Sequence, residues 1–415
     1  MDVEAIFKHD SNVSFSFSRK KEDYVKIDPS PGSYTNLNKN GEILFEVYNQ
    51  QSFLYLPESF FVINFEITKT DGTALGADNI TLEHNFFPRL FSQMRLNVGA
   101  KNLEEIQHPG EADTLLKSVT MPYSYSRCYG DLTGWIPDEK SNIGESNGVL
   151  RRAALYNKSK KFESRWFLKP LIGFTDYMKI LWGLKLSFSL QRYVNDENIF
   201  WGDAGTNAKI KINSIRWWIP QISPSLEVET MVTKRLAQNK PLPAVYLKRT
   251  LFSLDIEPAQ YDWRIGAISN NPRYIIFGFK RNDPSFEKNN SRFISYEKKK
   301  EIKSLRLALN QTYYPLDKME FSAINSELQH PYGEYIQMCK TFMVDPQYDF
   351  SMYKKQYSIF CFDVSSQPED LKKNGIDITL KIEKSPAFTL HAFCLLLEDV
   401  KYSITVNDGQ MIRID

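Results

Sequence analysis

The sequence predicts an all-β fold, two antiparallel sandwiches in tandem with a few short helices, and three observations carry that expectation. Aromatic residues make up 14% of the chain (Phe 28, Tyr 22, Trp 7), and such side chains suit a pleated, half-buried surface. Short alternating apolar segments recur between turn residues, whereas helical spacing appears only in brief stretches. The two halves also repeat one order of elements, which is the mark of a duplicated domain rather than a solenoid. The length of 415 residues suffices for two domains, and 42% hydrophobic with 25% charged residues is the balance of a chain that folds.

Residues 1–40 are polar, with Pro29, Pro31 and Gly32 close together, and read as an extended arm with little core of its own. Strand signals begin at 41–49 (GEILFEVYN). In 60–68 (FFVINFEIT) Phe61, Ile63, Phe65 and Ile67 share a face, and in 91–98 (FSQMRLNV) Met94, Leu96 and Val98 do the same. Past a turn at Gly99, residues Ala112, Leu115, Leu116 and Val119 fall at helical spacing and predict a helix over 110–119. Residues 121–165 hold Gly130, Gly134, Gly144 and Gly148 among polar residues with little periodicity, so they read as a long loop, functional or exposed. Strands resume at 166–174, 179–190 and 209–219, with a second sizeable loop at 191–208.

Pro220, Pro224, Pro241 and Pro243 mark a connection between halves, set at 223–245, with a short helix over 227–237. The second half then reads as strands at 247–256, 274–279 and 302–309, a helix at 331–342, a polar aromatic stretch at 343–356, and strands at 357–364, 375–383, 389–397 and 401–406. The repeat is clearest where MRLNVGAKNLEEIQHPGEADTLLKSV begins at Met94 and LRLALNQTYY begins at Leu305, the latter continuing to HPYGEYIQMCKTF at His330. Both run strand, turn, a His-Pro pair, a short helix and a polar loop. With about eight strands in each half, the jelly roll is the natural form, because paired sheets limit exposed edges. The expected domains are thus 41–222 and 246–415.

Signals for chemistry are sparse. The sequence has no GxxxxGK[ST], GxSxG, HExxH or EF-hand pattern, and the five histidines (His9, His84, His108, His330, His391) stand singly. Cys128, Cys339, Cys361 and Cys394 are scattered without a CxxC pair, so no zinc site or disulfide framework is signalled. The carboxylate neighbours Glu104-Glu105, Asp138-Glu139 and Glu398-Asp399 are what chance gives among 50 acids. Gly202-Asp203-Ala204-Gly205 precedes a strand, not a helix N-terminus, and reads as a turn rather than a phosphate loop. The expectation is therefore no enzyme, no cofactor and no metal.

A net charge of +2 argues against a dedicated nucleic-acid binder. The basic runs Lys158-Ser159-Lys160-Lys161 and Lys298-Lys299-Lys300 read as solvated loop faces or as contacts with packaged DNA or a neighbour. Residues Met1 to Ala5 lack a signal-peptide pattern, and no run approaches the roughly 20 apolar residues needed to span a bilayer, so a cytosol-made chain without a membrane span is expected. Trp217 and Trp218 must face opposite sides of their strand, one to a core and the other free for an interface, where Trp is favoured.

Several segments carry a family likeness. KSLRLALNQTYYPLDKMEF from Lys303, YSIFCFDVSSQPEDLKKNGIDITLKIE from Tyr357 and FTLHAFCLLLEDVKYSI from Phe388 resemble the hexon-like proteins of Maverick/Polinton elements and adintovirus-like viruses. GDAGTNAKIKINSIRWWIPQISPS from Gly202 is similar to the end of the first jelly roll in such proteins, and the likeness runs from about residue 40 onward. It implies the adenovirus and tectivirus lineage of double-stranded DNA viruses: two jelly rolls standing on the shell, and a homotrimer of pseudo-sixfold outline that tiles an icosahedral capsid beside neighbouring capsomers and a penton protein. It further implies tower loops, placed at 121–165, 191–208 and about 280–300, and a virion location after assembly in the cytosol or nucleus. Interface candidates on that basis are Trp166, Trp217, Trp218 and Tyr123. The alternatives are a carbohydrate-binding or carbohydrate-active β-sandwich, and a host protein derived from a capsid gene.

Overall fold

Strand alternation becomes two copies of one topology in the computed structural model, which describes residues 19–48, 53–74, 80–139, 146–156, 161–177, 184–196, 199–202, 207–238, 242–269, 271–282, 293, 302–310, 312–321, 328–366, 375–386, 389–405 and 410–413. In the first half the elements are β1 (Arg19–Ile27), β2 (Glu42–Tyr48), β3 (Phe53–Leu54), β4 (Phe60–Lys69), β5 (Ile80–Leu82), α1 (Phe86–Arg89), β6 (Phe91–Val98), β7 (Lys101–Gln107), α2 (Pro109–Thr120), α3 (Tyr123–Thr133), α4 (Asn147–Leu155), β8 (Phe162–Phe167), β9 (Lys185–Arg192), β10 (Phe200–Gly202) and β11 (Ala208–Pro224). Helix α5 (Leu226–Ala237) leads to the second half. There follow β12 (Leu242–Ile256), β13 (Gln260–Ser269), β14 (Pro272–Asn282), β15 (Ile302–Leu309), β16 (Thr312–Glu320), α6 (Gln329–Thr341), α7 (Phe350–Gln356), β17 (Ile359–Asp363), β18 (Ile376–Lys384), β19 (Thr389–Thr405) and β20 (Gln410–Arg413).

The first half pairs β1-β11-β4-β8 in one sheet and β2-β9-β6-β7 in the other, and the second half pairs β12-β19-β14-β17 and β13-β18-β15-β16. Leaving aside the short β3, β5, β10 and β20, each half runs first-eighth-third-sixth in one sheet and second-seventh-fourth-fifth in the other. This is the jelly-roll order, used twice. Both halves also insert their helices between the fifth and sixth strands, directly after His108-Pro109 and close to His330-Pro331.

Part of the expected arm is the first strand of the first jelly roll. Arg19–Ile27 lies antiparallel to β11 from Arg19↔Pro224 to Ile27↔Trp217. Its sequence, RKKEDYVKI, carries little apolar alternation because it lies at a sheet edge, where charged residues guard unpaired backbone groups. Within β11 a register shift between Ile212 and Ser214 resets the alternation, so Ile210 and Ile212 and then Ile215, Trp217 and Ile219 all point inward. The two strands expected at 389–397 and 401–406 are one strand, β19, which pairs with β12 from Leu242↔Ile404 to Ile256↔Leu390.

The segment 121–165 is not an exposed loop where it is described. It folds as α3 and α4, with Trp135, Asp138 and Arg152 fully buried beneath them. Arg152 donates to Leu82 O at 2.8 Å, to both Asp138 oxygens at 3.1 Å and to Ile136 O, so one guanidinium satisfies several buried acceptors. Side chains held from several directions leave no periodic trace in sequence. Residues 140–145, 157–160, 197–198, 203–206, 283–292 and 294–301, which carry most of the remaining tower positions and the Lys298–Lys300 run, lie outside the described residues.

Candidate assembly surface

The halves meet where the outer face of β12-β19-β14 is covered by the first half. Along β14 and β19, Ile275, Phe277, Phe279, Cys394 and Leu396 point into the second jelly roll, while Tyr274, Ile276, Phe393, Leu395 and Leu397 point outward into the core shared with the first half. A sheet apolar on both faces reads as an unbroken run, here FCLLL at 393–397. The cover consists of β7, the turn Gly173–Asp176 and α2. Ser118 on α2 bonds the Tyr348 hydroxyl at 2.9 Å, and the Tyr335 hydroxyl donates to Ser118 O at 3.2 Å.

Two buried charge clusters tie this junction. Glu111 on α2 meets Lys280 on β14 at 2.8 Å and Arg89 at 2.5 Å. Burial pushes the Glu111 carboxyl up, yet Lys280 and Arg89 outweigh it and hold the group well below its ordinary value. Burial likewise pulls the Lys280 ammonium down to about 8, against the attraction of Glu111. At the second cluster the Glu104 carboxylate on β7 accepts from Gly173 N at 2.8 Å and Phe174 N at 2.7 Å. Burial raises it to about 7, opposed by Arg249 on β12 and by these two N–H groups. Gly173 has no room for a side chain: a Cβ there would lie 2.1 Å from Leu247 O across the junction.

Among the described residues, the outer face of the sheet in the same topological place in the first half has no such cover. Across β1-β11-β4-β8 it presents Tyr24, Trp218, Phe60 and Phe167, each ring within 6.3 Å of the next. Trp218 stacks on Phe60 at 6.0 Å and 11°. Lys26 lies 4.5 Å over the Trp218 ring, and Arg165 lies 5.2 Å over Phe60. Helix α3 covers only the β8 end, through Tyr129 against Phe167 at 6.1 Å. Tyr24 is 41% exposed and Tyr129 46%. The outer faces of the remaining two large sheets are polar. One carries the row Glu42, Gln191, Gln93 and Gln107, and the other carries the pairs Arg264–Asp377, Lys381–Asp262 and Lys318–Glu383.

Two of the four interface candidates belong to the core instead. Trp217 is fully buried against Phe61 at 5.9 Å and Phe188 at 5.5 Å, because inward alternation of β11 places it between the sheets. Trp166 is 1% exposed and stacks on Phe91 at 6.4 Å, the inward position of β8. Trp218 is on the outer face, as alternation requires of one member of the Trp-Trp pair. Tyr123, 47% exposed, opens α3 elsewhere and lines a cleft of about 560 Å³ with Glu139, Tyr332, Tyr348 and Asp349.

Tyr24, Phe60, Phe167 and Lys26 were not singled out in the sequence. One signal was present: in FFVINFEIT, Phe60 and Val62 occupy the face opposite Phe61 and Ile63, so this strand begins apolar on both sides. The carboxylate neighbours do not converge, since Glu104 is buried while Glu105 turns outward to Arg95, and Asp138 is buried while Glu139 is exposed. No cluster of metal-ligating side chains occurs among the described residues, and no helix among them is long and apolar enough to cross a membrane.

A family model described as the double jelly roll-like domain matches residues 139–401, more than half of the chain. The chain belongs to the double jelly roll-like domain family. Solved structures agree with this double jelly-roll fold across nearly its whole length. A chain from the Sputnik virophage aligns over 100% of this one and 92% of its own length, with a TM-score of 0.64 at 11% identity. The Faustovirus major capsid protein covers 97% of this chain and 94% of its own, with a TM-score of 0.57 at 9% identity. For the mavirus major capsid protein the shares are 98% and 92%, the TM-score 0.56 and the identity 12%. At such identities the likeness establishes the fold. Among curated proteins, no sequence matches.

Proposed function

We propose that this chain is a structural major capsid protein, three copies of which close into a ring of pseudo-sixfold outline that tiles the icosahedral shell of a double-stranded DNA virus or a virus-like mobile element. The single observation that carries this reading is the partly open aromatic face of β1-β11-β4-β8, exposed at Tyr24 and half-buried at Trp218 and Phe167, in the topological place that the first half covers in the second. A partly open face of this composition, with Lys26 and Arg165 over its rings, suits an association surface. Support also comes from the family and from structural likeness to proteins named as major capsid proteins. The sequence resemblance supports, as part of this proposal, a gene of the Maverick/Polinton and adintovirus-like elements in the adenovirus and tectivirus lineage. On this reading the work is assembly rather than catalysis, the protein resides in the virion, and its partners are neighbouring capsomers, a penton protein and, through basic loops, packaged DNA. Electron micrographs of the purified protein test it: six-lobed particles with threefold symmetry are expected, and featureless monomers at every concentration would overturn it.

One observation favours a second reading, carbohydrate binding. The cleft at Tyr123 combines tyrosine rings with the carboxylates of Glu139 and Asp349, a pattern that also suits a sugar. A glycan array on the purified protein decides between them, since saturable glycan binding without oligomers would favour this alternative.

A further inference from the structure

Both halves of the chain build the cleft of about 560 Å³ at Tyr123. The first half supplies Tyr123, the first residue of α3, and Glu139. The second half supplies Tyr332 on α6 and the turn into α7, with Gln347 and Asp349. Each half thus contributes one carboxylate, and among the described residues that line the cleft none is basic. Asp349 accepts from Met352 N at 2.8 Å, and Glu139 accepts from Asn147 Nδ2 at 3.1 Å. Those donors are neutral, so they orient the carboxylates and leave both charges in place. The Tyr332 hydroxyl, donating to Tyr348 O at 3.2 Å, is held above its ordinary value by burial and then by the Asp349 carboxylate. A second observation points to a ligand. Gln347 lines the same cleft at 2% exposure, and neither atom of its side-chain amide has a hydrogen-bond partner among the described residues. A buried amide left in that state is costly, and a polar ligand group relieves the cost.

We propose that this cleft binds a small organic cation of the alkyl polyamine class, with one ammonium group for Glu139, one for Asp349, and an N–H for the side-chain oxygen of Gln347. Charge selects the class. A neutral sugar meets the tyrosines and the amide but leaves both carboxylates uncompensated, whereas an ammonium group answers acid and amide with the same N–H donors. The ring of Tyr123, 47% exposed, offers the face that a cation prefers. A bare metal ion would need a third ligand close by, and no such cluster occurs among the described residues. A cleft of this size holds more than one ammonium group, and an alkyl spacer suits the apolar side chain of Met352 on its wall. Because the two acids belong to different halves, the bound cation ties the helices inserted in the first half to those inserted in the second. Binding to the folded chain alone therefore raises its stability.

Titration calorimetry of the full chain with spermidine as the probe provides the test, with magnesium chloride at equal ionic strength as the control. One saturable site per chain is expected for spermidine and none for magnesium, together with a higher thermal unfolding midpoint in spermidine. Glu139→Gln and Asp349→Asn are each expected to weaken binding about fivefold. Asparagine still caps α7, so Asp349→Asn keeps the acceptor for Met352 N. Gln347→Met separates a built site from loose attraction to acids: it leaves every charge in place, and binding should still weaken. Near-ultraviolet circular dichroism confirms that each variant is folded before it is scored. Absence of a saturable spermidine site overturns the proposal, as does a site that all three variants leave intact. Saturable binding of a neutral glycan that Glu139→Gln and Asp349→Asn abolish, with none of spermidine, overturns it in favour of the sugar. The capsid reading is scored separately, by particle shape without spermidine.

Discussion

The sheets β1-β11-β4-β8 and β12-β19-β14-β17 share an order of strands, yet they differ in what lies outside them. The outward positions of β14 and β19 hold Tyr274, Ile276, Phe393, Leu395 and Leu397, all sealed within one core. Those of β1, β11, β4 and β8 hold Tyr24, Lys26, Trp218, Phe60, Arg165 and Phe167, rings mixed with cations and partly open to water. A face closed within one chain is free to be almost wholly apolar, since water never meets it. A face that waits for a partner must keep the monomer soluble, and cations placed over rings do that while leaving apolar area to bury. The difference teaches that duplication supplied two equivalent faces, of which folding covers one.

The contrast can be broken most forcefully at the closed face. Glu111→Gln leaves Arg89 and Lys280 buried without their anion and is expected to cost about 3–5 kcal/mol in urea unfolding, at any protein concentration. Leu395 packs between Leu251 and Ile276, and Leu395→Ala is expected to cost about 2–5 kcal/mol in the same assay. Glu104 adds a pH signature. Its carboxyl is raised from 4.5 to about 7, so the native state holds a proton that the unfolded chain has released. The contribution of this group is therefore fully present below pH 4.5 and is lost as pH rises through about 7, by up to about 3 kcal/mol. Unfolding midpoints taken across that window should fall more for the wild type than for Glu104→Gln; identical pH profiles for the two would count against the assignment. The smallest effect belongs to the open face. Tyr24→Ser should change monomer stability by about 0.5 kcal/mol or less while weakening association, so sedimentation and unfolding should disagree for this variant alone.

What was legible in the sequence follows the same division between covered and open positions. Inner strands such as β4, β6, β11, β14, β15 and β18 were visible, because both neighbours and a core enforce alternation or an apolar run. Strands β1, β7, β13 and β16 were missed, and each lies at the edge of a sheet. Edge strands carry few inward residues, as Trp263 and Ile265 show on β13, and their outward side chains are charged. The helices α2 and α6 were legible from apolar spacing and the His-Pro pairs, whereas α3 and α4 were hidden by glycines and by polar groups whose buried partners lie far away in sequence. Of the aromatic face only Trp218 was foreseen, since Trp166 and Trp217 look the same in composition but sit on inward positions.

The most direct measurement is the absolute mass of the wild-type protein and of Trp218→Asp, by light scattering over a range of concentrations. If the open face joins copies into a closed ring, the wild type should read 3 × 48.3 = 144.9 kDa and Trp218→Asp 48.3 kDa. A wild-type mass of 48.3 kDa at every concentration would contradict that claim.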